Sequence, residues 1–411
     1  MKFIADFHIH SKYSRATSPT TNIENLSLFA KLKGIDLLGT GDFTHPSWLN
    51  ELKNNLNPIG NGLFKYNEIF FILTVEVCNL FNKNGKGKKN HNLIFAPSFE
   101  IVEKINKSLA KYGNLSIDGR PMLSLSSANL VKILMNISED IMIIPAHIWT
   151  PWFSLFGSKS GFDQIEECFE DQTKYIYALE TGLSSDPSMN WMLSKLDKYT
   201  LISNSDAHSP SKLGREANVF NAEMDYFEIK RIFQKKDKEK FLFTLEFFPE
   251  EGKYHYDGHR VCNIRFSPEE TLENNNICPV CKKNLTIGVM NRINFLSDRK
   301  NGIIPSCAIP FKKIIPLKEI ISEVLQVGID TNAVNAEYKK IIQCFGTEFN
   351  TLLDVSEKDL KNEITINIAE AIIKVRNEKV KIIPGYDGVF GEIHIQKEKE
   401  KKKEAIQLNL F

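Results

Sequence analysis

No run of about 18 apolar residues occurs anywhere in this chain of 411 residues, which excludes a conventional membrane-spanning helix. MKFIADFHIH does not open on an apolar stretch of secretory length, so the expectation is a cytoplasmic protein with no membrane partner. An excess of one charge is missing too: 52 Lys and Arg stand against 51 Asp and Glu, a net of +1. That balance argues against a histone-like polycation and leaves nucleic-acid binding to local patches. Cysteine is sparse and odd in number, at 7, with two residues in a Cys-x2-Cys pair, which suits a reducing compartment and a metal site better than a disulfide framework. No internal repeat occurs at solenoid periods. Apolar residues are plentiful, at 42 %, enough for the two or three cores that this length implies.

Short apolar runs recur, and many end in histidine or a carboxylate. His8 and His10 close FIADFHIH, Asp42 lies in LLGTGDF, Glu76 sits in FFILTVEV and His91 precedes NLIFAP. His147 follows MIIPA, and Asp206 and His208 end LISNSDAH. Each run reads as a buried strand, and strand ends facing one way gather their side chains in a single mouth. His8 and His10 are spaced i, i+2, which puts both on one face of a strand, as does the spacing of Asp206 and His208. Neutral imidazoles and ionised carboxylates suit divalent zinc, manganese or magnesium. The set is too large for one ion, so two or three catalytic metals and a metal-dependent hydrolase are expected.

Residues 1–246 alternate such runs with helical text, as in 23–34 and 126–137, the pattern of a parallel sheet or β/α barrel. Residues 247–300 lose that periodicity and carry His259-x2-Cys262 and Cys278-x2-Cys281, the two-knuckle spacing of a structural zinc site. His255 is the alternative to His259. Residues 301–395 read as a mainly helical third domain. Residues 396–411 read as a Lys/Glu tether ending in QLNLF.

Several residues suit DNA. The text NKNGKGKKN (82–90) reads as a Gly- and Lys-rich loop in which Lys86, Lys88 and Lys89 track a phosphate backbone. Lys212 and Arg215 follow the Asp206/His208 pair as candidate phosphodiester cations. Arg260 sits between the first zinc ligands. Trp149, Trp152 and Phe153 form an aromatic loop suited to stacking an extruded base. Glu180, at the end of YIYALE, reads as a group supporting the metal ligands.

The set HIH, TGD, a strand-ending Glu, PAH and SDAH resembles the polymerase and histidinol phosphatase (PHP) superfamily. That resemblance implies an α/β fold, a distorted seven-stranded β/α barrel with a trinuclear metal centre. The strings GTGDFTHPSW, ETGLSSDPSMNW, SNSDAHSPSKLGREAN, YHYDGHRVC and ICPVCKKNLTIGV are similar, over nearly the whole chain, to the endonuclease Q family of DNA repair nucleases. The family implies hydrolysis 5′ of deaminated bases (uracil, hypoxanthine, xanthine) or abasic sites, and a zinc module that helps the barrel form the DNA cleft. Where many superfamily members have Thr-Asp-His, this chain has Thr40, Gly41 and Asp42, so either Asp42 or His45 is the second-strand ligand. QLNLF resembles the bacterial sliding-clamp motif, with Gln407, Leu408, Leu410 and Phe411 as its anchors and a bacterial source implied. A monomer acting on damaged DNA is expected. The competing functions are a small-molecule phosphoesterase of the same superfamily and a clamp-associated DNA-binding protein without catalysis.

Overall fold

The computed structural model describes residues 1–395, and the expected tether and QLNLF peptide at 396–411 lie outside the described residues. Seven strands form the barrel wall: β1 (Lys2–Asp6), β2 (Leu37–Gly39), β3 (Ile69–Lys83), β4 (Lys86–Ala96), β5 (Met142–Pro145), β6 (Ala178–Glu180) and β7 (Thr200–Ile202). β1, β2 and β3 are parallel neighbours, and so are β6 and β7. The wall closes between β5 and β6 through Ile148 N–H to the Glu180 carbonyl at 3.1 Å. Between β7 and β1 it closes through the bridge Ile9–Ala207. That last seam lies beyond the end of β1, because the side of β1 away from β2 is paired with the antiparallel β8 (Ala217–Asn221). The barrel is distorted for this reason.

One strand runs against the parallel expectation. β4 is antiparallel to both β3 and β5. The segment read as a loop at 82–90 is instead the tip of this hairpin, turned at Asn84 and Gly85, both with positive φ (53° and 76°). An Asn-Gly pair favours such a two-residue turn because its twist matches that of the flanking strands. The reversal sets Glu76, inside β3, opposite Leu93, which puts it on the same face as His91 of β4, the partner of Cys78 two residues on.

The helical text behaves as read. Helix α1 (Ile23–Lys33) is capped by the Asn22 side chain and stopped by left-handed Gly34; α2 (Ser127–Ile137) is capped by Ser126. Beyond β8, β9 (Phe241–Glu246) extends the sheet, and β10 (Phe311–Lys313) pairs with it in parallel. The barrel sheet thus takes its edge strand from the stretch assigned to the third domain, with Lys312 exposed on this short edge and Lys313 turned in to Asp186 at 3.1 Å. Helices α3 (Leu317–Leu325), α4 (Asn332–Phe345) and α5 (Ile366–Arg376) enclose a separate core of Ile320, Ile321, Val334, Ile341, Leu360 and Ile372. A buried pair fastens this core to the barrel: Lys33 Nζ meets Glu348 at 3.1 Å, and Glu348 also accepts from Tyr338 Oη and Leu317 N–H.

Between these bodies the Cys/His stretch forms a hairpin, Asp257–His259 with Ile264–Phe266. The following helix, Val289–Leu296, buries Val289 and Ile293 in the barrel core. Arg292 clamps it there by donating to the carbonyls of Phe156 and Phe162. The module is therefore docked over the loop that follows His147.

Candidate metal centre and adjoining cavity

The barrel gathers His8, His10, Glu76, His91, His147, Asp206 and His208 at one place. Their donor atoms fall into three groups, each within 4.8 Å: His8, His10 and Glu76; His10, Asp206 and His208; and Glu76, His91 and His147. Glu76 joins two groups by dividing its oxygens. Oε1 lies 2.5 Å from His91 Nδ1 and 2.9 Å from His147 Nε2, while Oε2 lies 3.3 Å from His10 Nε2. Asp206 Oδ1 is 3.1 Å from His10 Nε2 and 3.6 Å from His8 Nε2.

Asp42 stands behind this assembly. It accepts from His10 Nδ1 at 3.1 Å and from Ser11 N–H, Ser11 Oγ and Ser14 Oγ, and it belongs to none of the three groups. Glu180 does the same for His8, at 3.0 Å from Nδ1. Both carboxylates hold a ring by its outer nitrogen and leave Nε2 facing inward, the usual support of a metal-binding histidine. His45 faces elsewhere: its Nε2 lies 3.1 Å from the Ser116 carbonyl and its ring stacks on Tyr13. Of the two second-strand candidates Asp42 is the one at the centre, with its direct contacts made to His10 rather than toward Glu76 or Asp206.

Backbone geometry is unusual at the same residues. Asp42, His147 and Asp206 have φ of 51°, 30° and 47°, a region that side-chain-bearing residues rarely adopt and that persists where the surroundings enforce it. Electrostatics follow from crowding. Burial opposes charging His8 and His10, yet the surrounding carboxylates, Glu180 for His8 and Asp42 for His10 foremost, raise both well above the usual imidazole range. Burial opposes ionising Glu76 as well, but His91, His8 and Arg120 hold it well below the usual carboxylate range. His91 is pushed down to about 4, chiefly by burial.

The donor set fits divalent metal. His8 Nε2 is buried and makes no hydrogen bond, the mark of a polar atom whose partner is a ligand. Imidazoles and carboxylates arranged around a shared Glu76 suit neighbouring ions of the zinc, manganese or magnesium kind. A second cluster, His259, Cys262, Cys278 and Cys281, also lies within 4.8 Å and is closed, the donor type of a tetrahedral zinc site. His255 is not among its donors.

A cavity of about 500 Å³ adjoins the centre and shares His91, His147 and Arg120 with it. Its other walls include Trp152 and Phe153 from the barrel and Tyr254 and His255 from the approach to the Cys/His module. Arg120 had no signal in the sequence reading. It arrives on the irregular stretch after residue 110, and its Nη1 lies 3.1 Å from Glu76 Oε2. Gly119 makes that approach practicable, since a Cβ there would fall 2.3 Å from both Asp42 Oδ2 and Ser14 Oγ. The loop's tight packing on Asp42 requires glycine.

The expected DNA-contacting residues divide. Trp149 is a correction: it is 1 % exposed, donates its indole N–H to Asn190 at 2.8 Å and packs on Phe156, so it has no surface to offer DNA. Trp152, 42 % exposed, is the tryptophan that reaches the cavity. Lys88 turns inward to the Gly161 carbonyl and lies over the Phe162 ring, whereas Lys86 and Lys89 are exposed. Lys89 lies over Phe153 at the cavity wall. Lys212 is paired with Glu319 of α3 at 2.8 Å. Arg215 donates to the carbonyls of Ser205 and Asp206, which steadies the Asp206 turn. Arg260 is exposed, on the turn between the first two Cys/His donors.

Comparison with known proteins adds an independent line. Residues 316–379 match the family model of the MJ0043 C-terminal domain. A Methanocaldococcus jannaschii protein, MJ0043, is 34 % identical over 258 residues, which cover 61 % of this chain but only 32 % of that relative. YqxK of Bacillus subtilis is 28 % identical over 408 residues, 95 % of this chain and 99 % of the relative. The crystal structure of the lesion-specific endonuclease PfuEndoQ from Pyrococcus furiosus superposes with a TM-score of 0.87 at 32 % identity, with both chains covered in full. A structure of endonuclease Q with a 27-mer duplex carrying an abasic lesion at its active site superposes at 0.85, again at 32 % identity and full coverage.

Proposed function

The chain belongs to the endonuclease Q family, and from that premise we propose that it is a metal-dependent DNA repair endonuclease, hydrolysing the phosphodiester 5′ of uracil, hypoxanthine, xanthine or an abasic site. The observation that carries this reading is the cavity of about 500 Å³ that shares His91, His147 and Arg120 with the metal centre. It has room for an everted nucleotide beside the group that cuts its backbone.

His8, His10, Glu76, His91, His147, Asp206 and His208 would hold two or three divalent ions, which would supply Lewis acidity and activate water near neutral pH. Glu76 ties the two histidine groups together, one carboxylate oxygen to each. Asp42 and Glu180 keep the proton on Nδ1 of His10 and His8, so that both Nε2 lone pairs face inward. Arg120 offers a guanidinium to the phosphate that Glu76 and Asp206, as anions, would otherwise repel. Trp152 and Phe153 stack the extruded base, while Lys86, Lys89 and Arg260 meet the backbone electrostatically. His259, Cys262, Cys278 and Cys281 would hold zinc, which would brace the fold of the module beside the cavity.

Labelled duplexes carrying uracil, hypoxanthine, an abasic site or no lesion, incubated with the protein and Mg or Mn, test the reading. Nicking 5′ of the lesions, lost in Asp206→Ala, is expected; hydrolysis of phosphomonoesters alone would overturn it. We also propose that Gln407, Leu408, Leu410 and Phe411 tether a monomeric cytoplasmic enzyme to a bacterial sliding clamp. Removal of the last five residues then abolishes clamp binding in solution while lesion cleavage on short duplexes persists.

A further inference from the structure

Everting a nucleotide leaves a hole in the base stack, and the cost of unstacking has to be met by something that fills it. Proteins that open a duplex in this way insert an apolar side chain between the bases, phenylalanine among them. Such a side chain must stand at the lip of the cavity that takes the base, on a rigid support. Trp152 and Phe153 line the cavity itself and are placed to meet the extruded base.

Phe390 occupies the other position. It is 66 % exposed, and Lys253, a residue of the cavity wall, lies over its ring at 4.3 Å. It follows the turn of an antiparallel hairpin, Lys381–Ile383 with Glu392–His394, whose central pair Asp387 and Gly388 has φ of 40° and 87°. Tyr386 and Val389 exchange both backbone hydrogen bonds across that pair, at 3.0 and 2.7 Å, the two-residue form that Asp-Gly favours.

The turn is fastened to the cavity lip. Gly252, Lys253 and Tyr254 line the cavity, and the chain beside them accepts three backbone bonds from the hairpin: Gly385 N–H to the Glu250 carbonyl at 2.8 Å, Gly391 N–H to that of Glu251 at 3.0 Å and Gly388 N–H to that of Lys253 at 2.9 Å. Glycine at 391 permits this approach, since a Cβ there would fall 2.1 Å from the Glu250 carbonyl oxygen. Asp387 also accepts from Arg260 N–H at 2.8 Å, which joins the turn to the exposed Arg260 and Val261 of the Cys/His module. A lone exposed apolar side chain is ordinary. One held rigidly at a cavity lip, beside exposed Val389 and between the cations Lys253 and Arg260, suits a partner that is apolar within and anionic without. A duplex, with stacked bases inside two rows of phosphates, has that character.

We propose that Phe390 is a wedge, entering the base stack where the everted nucleotide leaves it while Lys253 and Arg260 meet the flanking phosphates. The proposal rests on the endonuclease reading and deepens it, by naming a positioning residue that acts on the duplex rather than on the scissile phosphate. Its effect depends on the starting state of the lesion. Filling the stack matters where the base begins paired and stacked, and little where it is already extrahelical.

The test uses the full-length, metal-loaded protein in single-turnover cleavage of two duplexes, one with uracil paired to adenine and one with the same uracil in a single-nucleotide bulge. In Phe390→Ala the paired-to-bulged rate ratio is expected to fall about tenfold or more, and Phe390→Leu, which keeps apolar bulk, to restore most of it. Phe390→Gln, of similar reach but polar, is expected to behave as the alanine variant and serves if alanine disturbs the turn. Equal loss on both duplexes, the signature of a structural role, overturns the proposal, as does an unchanged ratio. Failure of the unaltered protein to cut either duplex refutes the endonuclease reading, and the wedge with it.

Discussion

The molecule carries two clusters of metal-type ligands built on opposite plans. His259, Cys262, Cys278 and Cys281 come from one short stretch, share no donor with a neighbouring group and close on themselves. The barrel cluster draws on residues from His8 to His208, shares His10 and Glu76 between groups and includes two residues with positive φ, His147 and Asp206. It also opens on a cavity. A closed set of four donors leaves no position for substrate, whereas shared donors at a cavity wall leave room for water and phosphate. The first plan suits a site that folds the chain, and the second a site that works on something else.

Breaking the shared donor has the largest expected effect. Glu76→Gln removes the charge that joins two groups, and cleavage is expected to fall by about 10³-fold or more, the scale seen when a preorganised electrostatic group is lost. Metal analysis sharpens the contrast: zinc bound by the Cys/His module is retained in Glu76→Gln. The converse change, Cys278→Ser, is expected to lose that zinc and lower the thermal midpoint by several degrees. Chelator should then shift the midpoint less than in the parent, since only the barrel ions are left to remove. Retention of zinc in Cys278→Ser would refute the closed-site assignment.

The two backing carboxylates come next. Asp42→Asn and Glu180→Gln leave the donors in place but loosen the hold on His10 and His8. Metal affinity or turnover is expected to drop about 10- to 100-fold in each. Titration of activity with Mn separates the cases, since a backing residue raises the metal requirement before it lowers the saturated rate. An effect as large as that of Glu76→Gln would place Asp42 among the direct ligands.

These roles show where the sequence is legible. His8 and His10, spaced i, i+2 after an apolar run, announce a shared face, and the strand ends carrying His147 and Asp206 announce a mouth. The pattern records which residues are near the centre, not which way each carboxylate points, so Asp42 and Glu180 look alike in sequence to Glu76. The hairpin reversal was written in Asn84 and Gly85, yet the Lys-rich flanks read as a loop because exposed strand ends are polar too. Trp149 reads as a mouth residue until its indole is seen paired with Asn190. Arg120 left no trace, because its place depends on a long irregular loop and on Gly119 lying against Asp42.

The smallest effect expected concerns the electrostatic load beneath the barrel centre. In the Cys/His module the one fully buried carboxylate, Asp257, accepts from Gly288 N–H and from Asn291, both at 2.6 Å. Glu246, buried in β9, is pushed up to about 8, chiefly by burial and against hydrogen bonds from Ser203 and Thr244. Its neighbour Glu216 is raised as well, by burial and then by the Glu246 charge. Below the ordinary value of 4.5 the Glu246 carboxyl is protonated in folded and unfolded chains alike, and its ionisation leaves stability unchanged. Between 4.5 and about 8 the unfolded chain releases a proton that the folded chain keeps, so stability falls as pH rises, and above that window the loss is constant. Glu246→Gln has no proton to release in either state. Its midpoint relative to the parent is therefore expected to rise by a few degrees between pH 5 and pH 8 in thermal unfolding. A difference that stays the same at both pH values would mean that Glu246 ionises in the barrel as readily as in water.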